Sequence, residues 1–217
     1  MTSSQFHPQK CSAMVKCFLP IVAFALVVFS MSPTVLAGDS FNFRGPTADA
    51  FFSSTETSGC VITDVFVFAN DERLHDAPGP GTLSSVATVS ISQYNSCAGT
   101  QLMAAFGEAS LAAEDFQVAK GLNSATLNTT IQVFDFISGN TFNVDLALNW
   151  TATGDPANIK DHFHFRAPGQ IENFRFSGTF RPAQASGTVS DRVTNFTPGP
   201  TSSAETGSVK NGAVVIN

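Results

Sequence analysis

Residues 161–181, DHFHFRAPGQIENFRFSGTFR, contain the pattern that decides the fold of this chain. Apolar and polar side chains alternate on both sides of Pro168-Gly169, and side chains alternate between the two faces of a β-strand. Proline presets the first central φ angle of a type II turn, and glycine accepts the positive φ angle of the second. The stretch therefore predicts a β-hairpin that turns at Pro168-Gly169.

This hairpin has a phenylalanine face and a basic face. We expect Phe165 to lie opposite Phe174, with both rings buried in the core. The other face then holds two neighbouring pairs, His164 with Arg175 and His162 with Ser177. A slip of one residue would invert every position, so the unbroken alternation predicts that the histidines and Arg175 lie outside the main core.

The rest of the chain has short apolar runs separated by Gly, Pro, Asn and Ser, which is typical of all-β proteins. The clearest further hairpin joins residues 126–136 to residues 141–151, and Leu146, Leu148 and Trp150 should face inward from its second arm. About ten strands in this length predict an antiparallel β-sandwich, with a jelly roll among the topologies that it allows.

Two stretches are less regular. Residues 70–81, NDERLHDAPGPG, predict an acidic loop because they are rich in proline and glycine. Residues 101–112 contain helix-forming residues around Gly107 and fit a helix about as well as two short strands.

Phenylalanine recurs in Phe-x-Phe pairs: Phe41/Phe43, Phe66/Phe68, Phe134/Phe136, Phe163/Phe165 and Phe174/Phe176. The intervals between the pairs are irregular, which excludes a solenoid repeat. We expect these rings to fill one core between two sheets.

The N-terminal segment, residues 1–37, predicts a secretory signal peptide. Lys10 and Lys16 precede an apolar run at residues 17–29, which is too short to remain as a stable membrane span. Cleavage after Ala37 would leave residues 38–217 as one secreted β-sandwich domain, in the extracellular space or the periplasm. An uncleaved anchor is the alternative.

The expected mature chain is acidic. It loses Lys10 and Lys16, so nine Lys and Arg side chains stand against 17 Asp and Glu, a net charge of −8. Affinity for nucleic acids and for anionic membrane surfaces depends on clustered cations. The balance therefore argues against a nucleic-acid partner and against an anionic membrane surface.

Two cysteines, Cys60 and Cys97, remain after residue 37. An even pair in an exported chain predicts one disulfide bond, because the compartments beyond the cytoplasm are oxidising. Neither cysteine belongs to a C-x-x-C motif, which makes a cysteine metal site the weaker interpretation.

His162 and His164 share a strand face, where two imidazoles could chelate a divalent metal with a third ligand such as His75. The strand resembles the H-x-H strand of α-class carbonic anhydrases and of cupins. Both families use a further histidine downstream, and no histidine follows His164. We therefore expect a solvated polar face without a cofactor, with the metal site at His162, His164 and His75 as the alternative.

These observations predict a secreted, non-enzymatic β-sandwich that binds an unknown extracellular ligand or associates with a surface. His162, His164 and Arg175 are its candidate binding residues. The chain lacks a G-x-S-x-G nucleophile motif. The alternative function is a metal-dependent or glycan-processing enzyme that uses the same face, since the spatial approach of two carboxylates is not fixed by sequence.

Overall fold

The computed structural model describes residues 40–56, 59–76, 82–167, 170–191, 194–199 and 202–216. These residues form antiparallel β-strands and include no helix. The strands are β1 Ser40–Thr55, β2 Val61–Asp76, β3 Thr82–Asn95, β4 Thr100–Ser110, β5 Phe116–Val118, β6 Ser124–Asp135, β7 Thr141–Ala152, β8 Ala157–Ala167, β9 Gln170–Ser190, β10 Asn195–Phe196 and β11 Ser203–Ile216. The prediction of an all-β antiparallel sandwich is confirmed. The predicted signal peptide, residues 1–37, lies outside the described residues.

The strand pairings close on themselves. The closed ladder runs β1-β2-β3-β4-β6-β7-β9-β11 and returns from β11 to β1. Strands β1 to β4 are consecutive neighbours, whereas β9 brings the second half of the chain against β11. The side chains on the inward side of this ladder form the core.

Small and branched side chains dominate this core. Among the described residues its members include Ala48, Ala50, Phe52, Val65, Val67, Ala69, Ala87, Val89, Ile91, Leu127, Ile131, Val133, Val144, Leu148, Trp150 and Val189. The Nε1 of Trp150 on β7 donates a hydrogen bond to the carbonyl oxygen of Asp49 on β1, at 2.6 Å. β7 and β1 are not neighbours in the ladder, so this bond crosses the core and joins two strands on opposite sides of it.

The expectation that the Phe-x-Phe pairs fill the core is wrong. Every described ring of these pairs is half-buried or exposed. Phe134 and Phe136 are exposed, and their rings pack edge to face with centroids 5.2 Å apart. Alanine and branched aliphatic side chains form most of the core, together with Phe52 and Trp150. The described rings of the Phe-x-Phe pairs lie on the outward face, because they occupy the strand positions that alternate with the core positions.

Strand β9 is long enough to take part in two regions of the sheet. Its residues 183–190 pair with β7, and its residues 170–180 pair with β8 along the same edge. The backbone φ angle of Gly187 is +113°, and a Cβ at this residue would lie 2.0 Å from the carbonyl oxygen of Ala147. Glycine is therefore required where the strand approaches the backbone of β7.

Two irregular stretches become strands. Asn70–Asp76, predicted as part of a loop, continues β2, because its backbone pairs with β1 through Asn70–Thr47 and with β3 through Asn70–Val86. Ladder hydrogen bonds on both edges outweigh the local turn preference. Residues 77–81 lie outside the described residues. The ambiguous stretch 101–112 is mostly strand β4.

The predicted disulfide bond is confirmed. Cys60 and Cys97 are joined, with their Cα atoms 5.3 Å apart. Cys60 precedes β2, and Cys97 lies in the turn between β3 and β4, next to the pair Val61–Asn95. The described part of the chain also contains no helix that could cross a membrane.

Candidate functional site

The hairpin of β8 and β9 forms as predicted, but its register differs by two residues. Phe163, rather than Phe165, lies opposite Phe174, and His162 lies opposite Arg175. Ala167 pairs with Gln170 across a two-residue connection, whereas the expected pairing would have centred the turn one residue later. A shift of two residues keeps each side chain on its predicted face.

The basic face of the hairpin lies outside the core, as predicted. His162, His164 and Arg175 are exposed. The phenylalanine face is not buried as expected, since Phe163 is 58% exposed and Phe174 is half-buried. Strand β8 pairs only with β9 among the described strands, and all its described side chains are exposed. The side chain of Phe165 lies outside the described residues.

The basic strip continues across the sheet well beyond the hairpin. Directly paired residues of neighbouring strands place their side chains on the same face. One cross-strand row consists of Lys160, Ser177, Lys210, Arg44 and Arg73, on β8, β9, β11, β1 and β2. The adjacent row consists of His162, Arg175, Gly212, Asn42 and His75 on the same strands.

We call this surface the cationic face. It carries six of the nine Lys and Arg residues that follow residue 37: Arg44, Arg73, Lys160, Arg166, Arg175 and Lys210. All six side chains are exposed. Among the described side chains of this face, the one carboxylate is Asp71, which accepts a hydrogen bond from the Ser85 hydroxyl at 2.6 Å. An acidic protein thus concentrates most of its positive charge on one surface.

Three of these cations are consecutive cross-strand neighbours. Lys210 lies opposite Arg44, and Arg44 lies opposite Arg73. Like charges directly opposite one another in a sheet are destabilising. The fold therefore accepts repulsion between strands that are held in register by the closed ladder.

The cationic face is the continuation of the core-facing side of the sheet. The boundary between the buried core and the cationic face is the cross-strand row of Arg181, Thr206 and Ala48. The Thr206 hydroxyl donates to the carbonyl oxygen of Leu122 at 2.8 Å, and Arg181 Nη1 donates to that of Gly121 at 3.1 Å. These bonds fix the 119–123 loop at the inner end of the cationic face.

The reverse face of the same strands is rich in phenylalanine. Phe176 and Phe180 stack at 6.1 Å over Gly178, where a Cβ would lie 2.3 Å from the Phe180 ring. Asn211, which pairs with Phe176 and with Phe43, has a buried Oδ1 that no described donor reaches. The two faces therefore differ sharply in polarity, as the hairpin sequence predicts.

A carboxylate pair that sequence reasoning did not identify lies on the outward side of β1 and β11. Asp49 and Glu205 are direct cross-strand partners, and both are half-buried. Burial, and then the charge of Glu205, raise the pKa of Asp49 to about 7. Burial also raises the pKa of Glu205. The pair is less readily ionised than ordinary surface carboxylates.

The three predicted metal ligands are only partly brought together. His162 and His164 project from the same face of β8, and His75 occupies the row of His162. Four strand spacings, about 19 Å along the sheet, separate His75 from His162. The side chain of His75 lies outside the described residues. Within the described residues, no three His, Cys, Asp or Glu side chains are grouped as metal ligands.

The charge opposite His162 disfavours a bound metal cation, whereas the contact of His164 fixes only its tautomer. His162 stands opposite Arg175, whose charge is permanent. His164 Nδ1 contacts the Asn173 side-chain oxygen, which can only accept a hydrogen bond. Nδ1 is therefore the donor, and Nε2 of His164 is directed away from this contact.

Sequence reasoning missed Arg44, Arg73, Lys160 and Lys210 as members of the site. These residues belong to four strands, and Arg44 and Lys210 lie near opposite ends of the chain. The available signal is local: each of these cations stands at a position whose neighbours two residues away on the strand are mostly polar or small. That signal does not reveal which strands are neighbours.

No family model matches this chain, and no curated protein matches it. Among solved structures, the chain is similar to a "putative AttH" from Nitrosomonas europaea, with 11% sequence identity and a TM-score of 0.27. The match covers 84% of this chain and 52% of that one, so this chain spans about half the length of that protein. At this TM-score the likeness bears on neither the fold nor the function.

Proposed function

We propose that this protein is an exported, non-catalytic binding module, and that the cationic face is its contact surface for an anionic ligand. The observation that carries the proposal is the unbroken series Lys210, Arg44 and Arg73 across three strands. Their mutual repulsion is relieved when an anion lies between them. Export is supported by the disulfide bond, since such bonds persist in oxidising compartments.

The chemistry of the side chains supports an anionic ligand. Guanidinium groups present a planar fork of donors that matches carboxylate, sulfate and phosphate oxygens. Arg44, Arg73 and Arg175 present such groups on the exposed face, beside the ammonium groups of Lys160 and Lys210. Hydrogen bonds in which the donor is charged are stronger than neutral ones.

The shape of the surface supports binding over catalysis. Catalytic groups act most strongly where water is excluded and their electrostatic interactions are strengthened. His162, His164 and Arg175 instead lie exposed on a strand pair at the margin of the sheet. A ligand on this face would be held by many solvated contacts rather than enclosed.

The proposal is tested by retention on dextran sulfate resin, with unmodified dextran resin as the reference. A chain of net charge −8 is repelled by an anionic resin overall, so its retention would require a localised cationic surface. We expect retention at low salt that is lost as salt increases, because the contacts are screened.

Two triple variants distinguish the effect of the cationic face on retention from the effect of net charge. The triple variant Arg44→Gln, Arg73→Gln, Lys210→Gln should flow through the anionic resin. The control Gln117→Glu, Asn128→Asp, Gln132→Glu changes net charge equally at exposed positions of β5 and β6, and it should still be retained. Flow-through of the unmodified protein, or equal loss in both variants, would overturn the proposal.

A further inference from the structure

We infer that the ligand is an extended anionic polysaccharide, bearing uronate carboxylates or sulfate esters, that lies across the strands of the cationic face. This inference rests on the proposed function and adds the ligand class. It follows from three properties of the face: the length over which the charges extend, the uncharged groups between them, and the position of the aromatic rings.

The charges extend much further than a small anion. From Arg73 to Lys160 the row crosses four strand spacings, about 19 Å. From Lys160 to Arg166 the cations continue along β8 for six residues, about 20 Å. A single phosphate or sulfate reaches one or two of these groups. A chain with a charge on successive residues can contact the whole series.

Uncharged polar side chains fill the spaces between the cations. Ser177 lies between Lys160 and Lys210 in the first row. The next row, on the other side of the first row from His162, contains Thr179, whose hydroxyl donates to Asn158 Oδ1 at 2.7 Å. Hydroxyl and amide groups both donate and accept hydrogen bonds, as sugar hydroxyls do. The face therefore matches a ligand in which charged groups alternate with hydroxyl groups.

A single-stranded nucleic acid fits the same surface less well. Proteins that hold single strands combine cations with aromatic side chains on which the bases stack. Here the described rings of β8 and β9, including Phe163, Phe174 and Phe176, lie on the reverse face. Among its described side chains the cationic face carries no Phe, Tyr or Trp ring, and its only rings are the imidazoles of His162 and His164.

The test is calorimetric titration of the exported protein with a length series of oligogalacturonates, from the monomer to the hexamer. Sulfated dextran oligosaccharides of matched length form the second arm, and a single-stranded oligonucleotide of matched charge forms the third. We expect affinity to rise steeply with length in at least one saccharide arm, because longer chains reach more cations. Which saccharide arm binds tighter identifies the acidic group.

Variants at the two ends of the series sharpen the test. Arg73→Gln and Arg166→Gln lie far apart on the face, and each should lower the affinity for the hexamer on the order of tenfold. The same variants should leave the weak binding of the monomer nearly unchanged. The control Gln132→Glu should lower neither.

The outcomes distinguish the inference from the proposed function. If the monomer or inorganic sulfate binds as tightly as the hexamer, or if the oligonucleotide binds tighter than both saccharide arms, the inference is overturned and anion binding stands. If neither these ligands nor the dextran sulfate resin binds the protein, the proposed function fails, and the inference fails with it.

Discussion

Arg44 on β1 stands directly opposite Arg73 on β2, and both side chains are exposed on the cationic face. Lys210 on β11 stands opposite Arg44 on its other side. Neighbouring strands usually place opposite charges or apolar groups at such positions, because like charges repel. The arrangement opposes folding, and the anion binding proposed above would relieve the repulsion.

Removal of one member of this series should stabilise the fold. We expect Arg73→Gln to raise the free energy of unfolding by about 0.2–1 kcal/mol at low salt, because one like-charge contact is lost. Urea denaturation at low and high salt measures the effect, and the gain should shrink as salt screens the repulsion. Lys120→Gln, an equal charge change in the 119–123 loop, should give a smaller change. A loss of stability in Arg73→Gln would contradict the explanation.

The carboxylate pair of Asp49 and Glu205 should make stability depend on pH. The pKa of Asp49 is raised from its ordinary value of 3.8 to about 7 in the folded protein, because of burial and then the charge of Glu205. Between these values the unfolded chain releases a proton that the folded chain retains, so stability falls as pH rises through this window. Below the lower value both states are protonated, and the loss disappears.

The variant Asp49→Asn isolates this effect. It cannot ionise, so it should be more stable than the parent protein at about pH 8 and close to it at about pH 4. Melting temperatures across this range provide the measurement. A difference that is largest at the acid end would reverse the sign and refute the assignment.

Asp135 should behave in the opposite way. Its Oδ2 accepts a hydrogen bond from the Ser138 hydroxyl at 2.6 Å, and its Oδ1 accepts from the amides of Ala104 and Ile137 at 3.0 and 3.1 Å. These donors lower the pKa of Asp135 to about 2, with the Ser138 hydroxyl as the largest cause. The stabilisation is present above pH 3.8 and is lost as pH falls toward 2.

Replacement of this side chain should therefore be costly. Asp135→Ala removes the acceptor of the Ala104 amide on β4 and of the Ile137 and Ser138 amides in the turn after β6. A group that stays unsatisfied costs about 1–3 kcal/mol. Chemical denaturation at neutral pH measures the loss. Asp155→Ala, at an exposed position between β7 and β8, serves as a comparison and should lose less. Equal losses would show that the carboxylate of Asp135 has no special role.

Asn211 should tolerate an apolar replacement. Its side-chain oxygen is buried beside Phe176 and Phe43, and no donor among the described residues reaches it. An unsatisfied buried carbonyl costs free energy, so Asn211→Leu should be neutral or stabilise by up to about 1–3 kcal/mol. Thermal unfolding provides the comparison, with exposed Asn128→Leu as the control. A large loss of stability would show that the amide has a partner.

The two histidines should contribute little to stability. His164 is exposed and contacts Asn173, so His164→Ala should change the free energy of unfolding by no more than about 0.5 kcal/mol. Dialysis against a chelator should leave the melting temperature of the unmodified protein unchanged, because Arg175 opposite His162 disfavours a bound cation. A fall in melting temperature that added zinc reverses would instead support the metal-site alternative.

Local patterns predicted the elements of this fold well. Alternation and the Pro168-Gly169 turn predicted the β8–β9 hairpin, and inward-facing Leu146, Leu148 and Trp150 are buried. Alternation assigns side chains to two faces but does not say which face is enclosed. The apolar character of phenylalanine predicts a place in the core. In the closed ladder, residues such as Ala50 and Val67 lie in the core instead.

The cationic face could be only partly predicted, because it depends on pairing between distant segments. The basic strip at His162, His164 and Arg175 is visible within one hairpin. Arg44 and Lys210 become neighbours only through the pairing of β1 with β11. Register between such distant strands is set by the closure of the whole sheet, which local periodicity does not encode.

The pairing of the first strand with the last also determines how this protein can be made. β1 pairs with β11 from Ser40–Val214 through Phe51–Ser203. The ladder therefore cannot close until residues 203–214 have been synthesised and can reach β1. Contacts between distant segments form slowly. Until β11 pairs, one edge of β1 and one edge of β9 have unpaired backbone groups. Unpaired strand edges are the sites at which partly folded chains aggregate. Loss of the last strand, through a premature stop or proteolysis, would leave both edges unpaired permanently.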